Sequence, residues 1–144
     1  MHFVIFLEID AFEGLASLAV SFVPTTRLPY QSELRHLQTF LGLFNDCDPL
    51  IKQVLLKHLA RRSQQLKATP ELHSLINALA EEDRAPFFAE IYRLSLAFTG
   101  NRERNKEFIH TVGSLLGLNG KMLKEIENQV EAENVPRLLP DGQA

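Results

Sequence analysis

The sequence predicts an all-α protein of about seven helices that form one compact bundle. Apolar residues recur at helical spacing along most of the 144-residue chain, and no long alternating pattern typical of a strand occurs. Prolines and glycines divide the apolar stretches into segments of helix length. The two halves also repeat one pattern, since residues 11–22 match residues 87–98 and residues 34–43 match residues 109–118.

The repeat predicts two helical units related by a pseudo-twofold axis. Two similar units that each expose an apolar face can bury those faces against each other. We expect a single domain over residues 1–133, with the first unit over about 3–66, a linking helix over about 69–82 and the second unit over about 84–133. The C-terminal tail, residues 134–144, contains prolines and a glycine and is predicted to be a loop or disordered.

Three helices are predicted in the first half. The first starts in the apolar N-terminal segment and ends before Pro24, because the residue before a proline is pushed out of the helical region. The second begins at Pro29 and ends near Gly42. Asp48, followed by a proline, is the expected N-cap of the third helix, which continues to Leu66.

The second half repeats this order after the linking helix. Thr69 and Pro70 form a start signal for the linking helix, and acidic residues from Glu81 lead into the fifth. Gly117 is expected to terminate the sixth helix, and Asn119 is expected to cap the seventh. The second half therefore supplies three helices in the same order as the first.

Composition excludes several classes of protein. The formal net charge of −3 argues against a general affinity for nucleic acid, whose binding requires neutralised phosphates. Glu8 and Asp10 interrupt the apolar N-terminal segment well short of a membrane span, so we expect none. A dimer could use this segment as its interface. The lone Cys47 excludes an intrachain disulfide and fits a reducing cytosol, which predicts a cytoplasmic protein.

The order of a helix, a loop, a helix closing on Leu-Gly-Leu and a further helix resembles the TerB-like family. That family contains tellurite-resistance proteins and the N-terminal region of a membrane co-chaperone. The pattern is carried by YRLSLAFTGNRERNKEFIHTVGSLLGLNGKMLKEIE in the second half and by LAVSFVPTTRLPYQSELRHLQTFLGL in the first. The resemblance implies a bacterial helical domain that acts through protein interaction in tellurite resistance or stress response.

The chain departs from the family in the loops where its members carry aspartate. Thr99 and Gly100 occupy this place in the second half, and Thr25 and Thr26 in the first. Family members have been linked to divalent-metal binding through these acids, and a hard cation needs carboxylate oxygens. We therefore expect no metal or other cofactor in these loops.

A metal-binding or di-iron bundle protein is the alternative function. Two Glu-x-x-His steps and two further glutamates occur in the order of the di-iron ligand set. The six residues are Glu13, Glu33, His36, Glu90, Glu107 and His110.

The positions of the two Glu-x-x-His pairs around their helices favour surface pairs over a buried di-iron site. Glu33 lies about 50° and His36 about 110° from the centre of the apolar stripe of the second helix. Glu107 lies about 140° and His110 about 160° from the stripe of the sixth, so both are expected to face solvent. A bimetal site would need both pairs to point inward.

No motif for nucleophilic catalysis, phosphate binding or dinucleotide binding occurs, so the protein is predicted not to be an enzyme. His58 and His73 are expected to be partly buried and hydrogen-bonded. The second of the two matching loops is basic through Arg102 and Arg104, and Arg27 is the counterpart in the first. These side chains are either solvated or form a docking site for an acidic partner or an anionic group.

Overall fold

The computed structural model describes the backbone of residues 6–61, 70–98 and 102–143, and the side chains of residues 6–61, 73–98 and 103–133. In this part of the chain all regular secondary structure is α-helical and forms a compact bundle, which confirms the predicted fold class. The helices are α1 (Ile9–Val20), α2 (Gln31–Gly42), α3 (Asp48–Ala60), α4 (Pro70–Ala78), α5 (Glu81–Ser95), α6 (Arg102–Leu115) and α7 (Gly120–Gln143).

The first helix, α1, is the central element of the bundle. Most of its residues are buried, and they lie around most of its circumference. Such a helix has to be surrounded by others. It packs most extensively on α4 and also on α2 and α3, whereas α5 packs on α6, α7 and α2. The contact between α2 and α5 joins the two halves of the chain.

Aromatic side chains from both halves meet in the core. The ring centroid of Phe22 lies 6.1 Å from that of Phe98 and 5.7 Å from that of Phe108. Phe44 and Phe87 form a similar pair at 5.8 Å. These are the spacings of favourable aromatic contacts. Phe22 and Phe98 are also matched positions of the sequence repeat, but the pseudo-twofold relation of the halves stays a prediction.

Close packing of α6 against α5 and α7 depends on Gly113, which is buried. A Cβ atom at this position would lie 2.4 Å from Cδ2 of Leu123 and 3.1 Å from Cε1 of Phe88. A larger residue would therefore force neighbouring core side chains to move, and well-packed cores accommodate this poorly.

Gly117 terminates α6, as the sequence predicts. Its φ is 81°, in the left-handed region that favours glycine. The N–H of Gly117 donates to the carbonyl of Ser114 at 3.0 Å, and the N–H of Leu118 donates to the carbonyl of Gly113 at 3.1 Å. This pair of bonds is the Schellman motif. The predicted cap of α7 is confirmed as well, because Oδ1 of Asn119 accepts the N–H of the third residue after it at 2.9 Å.

Arg84 on α5 connects the ends of two other helices. Its Nη1 donates to the carbonyl of Leu116 at 3.2 Å, beyond the last turn of α6. Its Nε donates to the carbonyl of Leu79 at 3.4 Å, just after α4. Carbonyls at helix C-termini lack intrahelical donors and carry partial negative charge, so a guanidinium is a favourable partner.

The bounds of α3 differ from the prediction. Cys47 holds the capping position, and Asp48 is the first helical residue. The reason is an earlier turn, in which Oδ1 of Asn45 accepts the N–H of Cys47 at 2.9 Å. The helix ends at Ala60, and most of its predicted continuation to Leu66 falls outside the described residues.

The prediction of a loop from residue 134 was wrong for the backbone, which is helical to Gln143. Pro136 and Pro140 lie within this stretch. Proline removes a hydrogen-bond donor, but its fixed φ is close to the helical value, so proline weakens a helix without forbidding it. The proposed domain boundary after residue 133 stays a prediction.

Candidate functional site

The first group of candidate residues bridges α1 and α3. Nζ of Lys57 lies 2.9 Å from both carboxylate oxygens of Glu13, and Nε2 of His58 lies 2.8 Å from one of them. His58 is partly buried, which confirms the prediction for this residue. His73 is exposed, and that prediction was wrong because His73 lies on the other side of α4 from the buried Leu75.

The pKa of the Glu13 carboxyl lies below its ordinary value. Burial is the largest single effect and by itself would raise the pKa. The hydrogen bonds from Lys57 and His58, together with the charges of these two groups, outweigh it. Glu13 is therefore ionised at neutral pH and connects α1 to α3 through its charge.

A second group fixes the loop between α1 and α2. The carboxylate of Glu33, which is 2% exposed, accepts two hydrogen bonds from the Arg27 guanidinium at 2.8 and 2.9 Å. It also accepts the N–H of Tyr30 at 2.9 Å. Tyr30 is the residue before the first turn of α2, so this helix begins at Gln31 and not at Pro29 as predicted.

Further contacts of Arg27 stabilise the conformation of the loop. Cζ of the guanidinium lies 3.9 Å from the centroid of the Tyr30 ring, a cation–π contact. Nη1 also donates to the carbonyl of Leu28 at 3.1 Å. The charge of Arg27 is thus used within the loop, whereas the side chain of Leu28 is 77% exposed and that of Tyr30 is 54% exposed. The loop therefore displays Leu28 and Tyr30 to solvent, beside the exposed Thr25 and Thr26.

The third group joins α5 to α7. Oη of Tyr92 donates to Oε1 of Glu131 at 3.1 Å. Arg93 donates from Nε and Nη2 to the two carboxylate oxygens of Glu133, each at 3.0 Å, and also pairs with Glu90 on its own helix. The hydrogen bonds to Glu133 and Glu90 and the charges of these two carboxylates raise the pKa of Arg93, against the opposite effect of partial burial. The group is a polar connection on the outer side of the α5–α7 interface.

The fourth group joins α6 to α7. Nε2 of His110 lies 2.6 Å from Oε2 of Glu127, a carboxylate that is largely buried. The buried positions Leu123 and Val130 lie on the same helix as Glu127 and pack into the core. Polar and apolar contacts therefore both hold α7 in place.

The structure disperses the candidate metal ligands. The positions of Glu33 and His36 around α2 predicted that both lie at the surface. His36 is exposed, but Glu33 is buried and bound to Arg27. Glu107 and His110 are both exposed, as predicted. Within the described part of the chain, no three His, Cys, Asp or Glu residues form a group that could hold a metal ion.

The predicted partner-binding residues, Arg102 and Arg104, lie in the first turn of α6 and not in a loop as predicted. Arg104 is partly exposed, whereas the side chain of Arg102 and residues 99–101 lie outside the described part of the structure. Their role in binding a partner stays a prediction.

The apolar N-terminal segment leads directly into α1. The N–H of Leu7 donates to the carbonyl of Phe44 at 3.1 Å, which holds the segment near the end of α2. Leu7 is buried, but Phe6 is 65% exposed and Ile9 is 50% exposed. The homodimer that the sequence suggests through this segment stays a prediction.

The paired acids of α7 were not predicted from the sequence. Glu127 and Glu131 are four residues apart and share a helix face, a spacing that could have indicated a polar face. Their partners on α5 and α6 could not be identified without the packing of three helices.

No family model, characterised protein or solved structure matches the chain. The resemblance to the TerB-like family therefore rests on the sequence pattern. In the described part of the chain, no helix is both long enough and apolar enough to cross a membrane.

Proposed function

We propose that this chain is a cytoplasmic protein-interaction domain without catalytic activity, and that it acts, as its resemblance to the TerB-like family suggests, in tellurite resistance or stress response. The observation that carries the proposal is the loop between α1 and α2. It displays Leu28 and Tyr30 to solvent on a backbone fixed by Arg27 and Glu33.

Rigid display of apolar side chains favours binding to a protein. A partner that covers Leu28, which is 77% exposed, gains roughly 1.5–3 kcal/mol from burial of this side chain. Because the guanidinium of Arg27 already fixes the loop, little conformational freedom remains to be lost on binding. Tyr30 adds an aromatic side chain of the kind that dominates interface energetics.

The arrangement of charged residues also supports a role in interaction. The carboxylates of Glu13, Glu33, Glu127 and Glu133 each contact a basic side chain on another helix or loop. Each of these carboxylates is thus paired within the protein and connects two structural elements. The pairing supports a domain that binds its partner through the shape of its surface.

The alternative metal-binding function has one observation in its favour. His110 and Glu127 supply an imidazole and a carboxylate on neighbouring helices, and both groups are common metal ligands. A third ligand is missing among the described residues. Stoichiometric iron or another divalent metal in purified protein, lost in His110→Ala, would support this alternative over protein interaction.

The interaction proposal is tested with variants of the exposed loop. Wild-type protein, Leu28→Ser and Tyr30→Ala would be used to capture partners from the cells in which the protein occurs, with identification by mass spectrometry. The same partner would then be purified and titrated against each form. Leu115→Ser is the control, because Leu115 is another exposed leucine, on α6, with 44% of its surface accessible against 77% for Leu28.

We expect one partner to bind the wild type and the Leu115→Ser control equally, and to bind Leu28→Ser and Tyr30→Ala at least about tenfold more weakly. If every captured partner binds all four forms with the same affinity, the loop is not an interaction site and the proposal fails.

A further inference from the structure

Asn119 and Gly120 lie at the corner between α6 and α7, and they form the one Asn-Gly step in the sequence. Both residues are solvent-exposed. Asn119 caps α7, since its Oδ1 accepts the N–H of Met122 at 2.9 Å and its carbonyl accepts the N–H of Leu123 at 3.0 Å. An asparagine followed by glycine carries both groups of an intramolecular reaction, namely the side-chain amide carbon and the next backbone nitrogen.

The backbone nitrogen of Gly120 is open to reaction. Gly120 is the first residue of α7, and the N–H groups in the first turn of a helix have no intrahelical acceptor. Among the described residues no backbone carbonyl accepts this N–H. Gly120 also has no side chain to shield the nitrogen, and a Cβ at this position would meet nothing within 4 Å. Hydroxide can therefore remove the amide proton, and the nitrogen can approach the Asn119 side chain without steric hindrance.

The cap of α7 restrains this reaction while the first turn of the helix is formed. Ring closure between the nitrogen of Gly120 and Cγ of Asn119 requires rotation about the Cα–C bond of Asn119, which the two hydrogen bonds of the cap oppose. The first turn is weakly held, because glycine lowers helix stability and the first buried residue of α7 is Leu123. A terminal turn with so few buried contacts opens without loss of the remaining structure.

We propose that Asn119 is a site of spontaneous deamidation, at which the neutral cap of α7 is converted into a charged group. When the first turn opens, the nitrogen of Gly120 attacks Cγ of Asn119. The N–Cγ bond forms, the Cγ–Nδ2 bond breaks, and Nδ2 leaves as ammonia with the proton that Gly120 has lost. Water then opens the resulting succinimide. Cleavage of the N–Cγ bond gives aspartate, and cleavage between the same nitrogen and the backbone carbonyl carbon gives isoaspartate.

The two products differ in their effect on α7. Aspartate keeps an acceptor for the N–H of Met122 and adds a negative charge at the N-terminus of the helix, where such a charge is favourable. Isoaspartate routes the main chain through Cγ, so the oxygen that accepted this N–H becomes a backbone oxygen and the chain between α6 and α7 gains a methylene group. The present cap is then lost. This change is independent of the Leu28 loop, so the inference goes beyond the proposed function.

Asn128 provides an internal control for the reactivity of Asn119. It is exposed on the same helix, but it is followed by Gln129, whose side chain hinders approach to the backbone nitrogen. It also lies in the interior of α7, where backbone N–H groups are hydrogen-bonded along the helix. Asn128 therefore shares the solvent exposure of Asn119 and lacks the open nitrogen.

The test is a time course of the purified full chain at neutral and at mildly alkaline pH. Deamidation of each asparagine is measured by peptide mass spectrometry, and isoaspartate is quantified by enzymatic methylation of its carboxylate. The variant is Gly120→Ala. The matched control is Gly42→Ala, because a Cβ at Gly42 also meets nothing within 4 Å. A parallel sample unfolded in urea gives the rate without the cap.

We expect Asn119 to deamidate at least about tenfold faster than Asn128 in the folded chain, because glycine leaves the attacking nitrogen unshielded. Gly120→Ala is expected to slow the reaction at Asn119 by about tenfold or more, since the added Cβ restricts the backbone and hinders the attack. Gly42→Ala is expected to leave the rate unchanged. The rate is also expected to rise with pH, and to rise in urea, where the cap no longer restrains Asn119.

Three outcomes would overturn the inference. They are the absence of deamidation at Asn119 in the folded chain while the chain in urea is converted, equal rates at Asn119 and Asn128, and equal rates at Asn119 in the wild type and Gly120→Ala. Circular dichroism spectra equal to that of the wild type would show that both glycine variants remain folded.

Discussion

The carboxylate of Glu33 lies 2.8 Å and 2.9 Å from the two terminal nitrogens of Arg27, and the acid is the more deeply buried partner, with 2% of its side chain exposed against 24% for the arginine. A buried carboxylate is tolerated because it is paired. The stability of the loop between α1 and α2 therefore depends on the arginine more than its partial exposure suggests.

Removal of this arginine is the first test. We expect Arg27→Ala to lower the free energy of unfolding by more than the loss of an exposed ion pair does, because it leaves a buried carboxylate without its charged partner. Urea unfolding monitored by circular dichroism measures the change. Arg93→Ala is the control, since Arg93 and Glu133 also form a double hydrogen bond but are 41% and 50% exposed.

The control substitution is expected to cost less than about 1 kcal/mol, as exposed ion pairs do. Equal losses in Arg27→Ala and Arg93→Ala would contradict the importance of burial at Glu33.

The Glu13 group predicts a specific dependence of stability on pH. The pKa of Glu13 is lower in the folded state than in the unfolded state. The contribution of Glu13 to the free energy of unfolding is therefore fully present above the unfolded pKa. The contribution is lost as the pH falls through the lower folded pKa. The difference in unfolding free energy between the wild type and Glu13→Gln should therefore shrink as the pH is lowered below 4.5, the ordinary value for this group.

Urea titrations across the range from neutral to acidic pH measure this difference. Lys57→Met provides a second check, because it removes hydrogen bonds that lower the Glu13 pKa and should reduce the pH dependence. A pH dependence in Glu13→Gln that is identical to that of the wild type would refute the assignment.

A larger side chain at Gly113 is expected to clash with the core. We expect Gly113→Val to destabilise the protein by about 1–3 kcal/mol, because the added carbons collide with Leu123 and Phe88. Gly42→Val is the matched control, since no atom lies within 4 Å of a Cβ at Gly42. Thermal unfolding of both variants would test this prediction, and it fails if Gly113→Val is no less stable than the control.

Loss of the Arg84 side chain is expected to destabilise the ends of the helices that it contacts. We expect Arg84→Met to lower the free energy of unfolding by about 1–2 kcal/mol, because the variant lacks two hydrogen bonds to carbonyls. Amide hydrogen exchange should accelerate most in the last turn of α6, next to Leu116. Arg35→Met, at an exposed position of α2, serves as control. Uniform acceleration throughout the chain would indicate a general loss of stability instead.

Sequence patterns predicted the helices well because their ends are encoded locally. Gly117 and Asn119 act within one turn of the chain, so their residue types suffice to predict a helix end and a helix start. The tail shows the limit of such rules. Pro136 and Pro140 are typical of loops, yet the backbone continues as a helix through both.

The candidate site was harder to predict because its contacts join separate helices. The bond between His110 and Glu127 depends on how α6 and α7 pack, and no spacing within either helix indicates it. The burial of Glu33 was missed for a related reason. Helical facing placed it at the edge of the core, but Arg27 from the preceding loop neutralises it and allows it to be buried.

The burial of α1 around most of its circumference has a consequence for synthesis of the protein on the ribosome. The helix that covers it most, α4, begins only at Pro70, so the apolar surface of α1 is without that cover while α2 and α3 are being made. Bacterial and eukaryotic ribosomes add about 5–20 residues per second, so this interval lasts seconds. During this interval, before α4 has left the ribosome, the apolar surface of α1 is open to other chains and to chaperones.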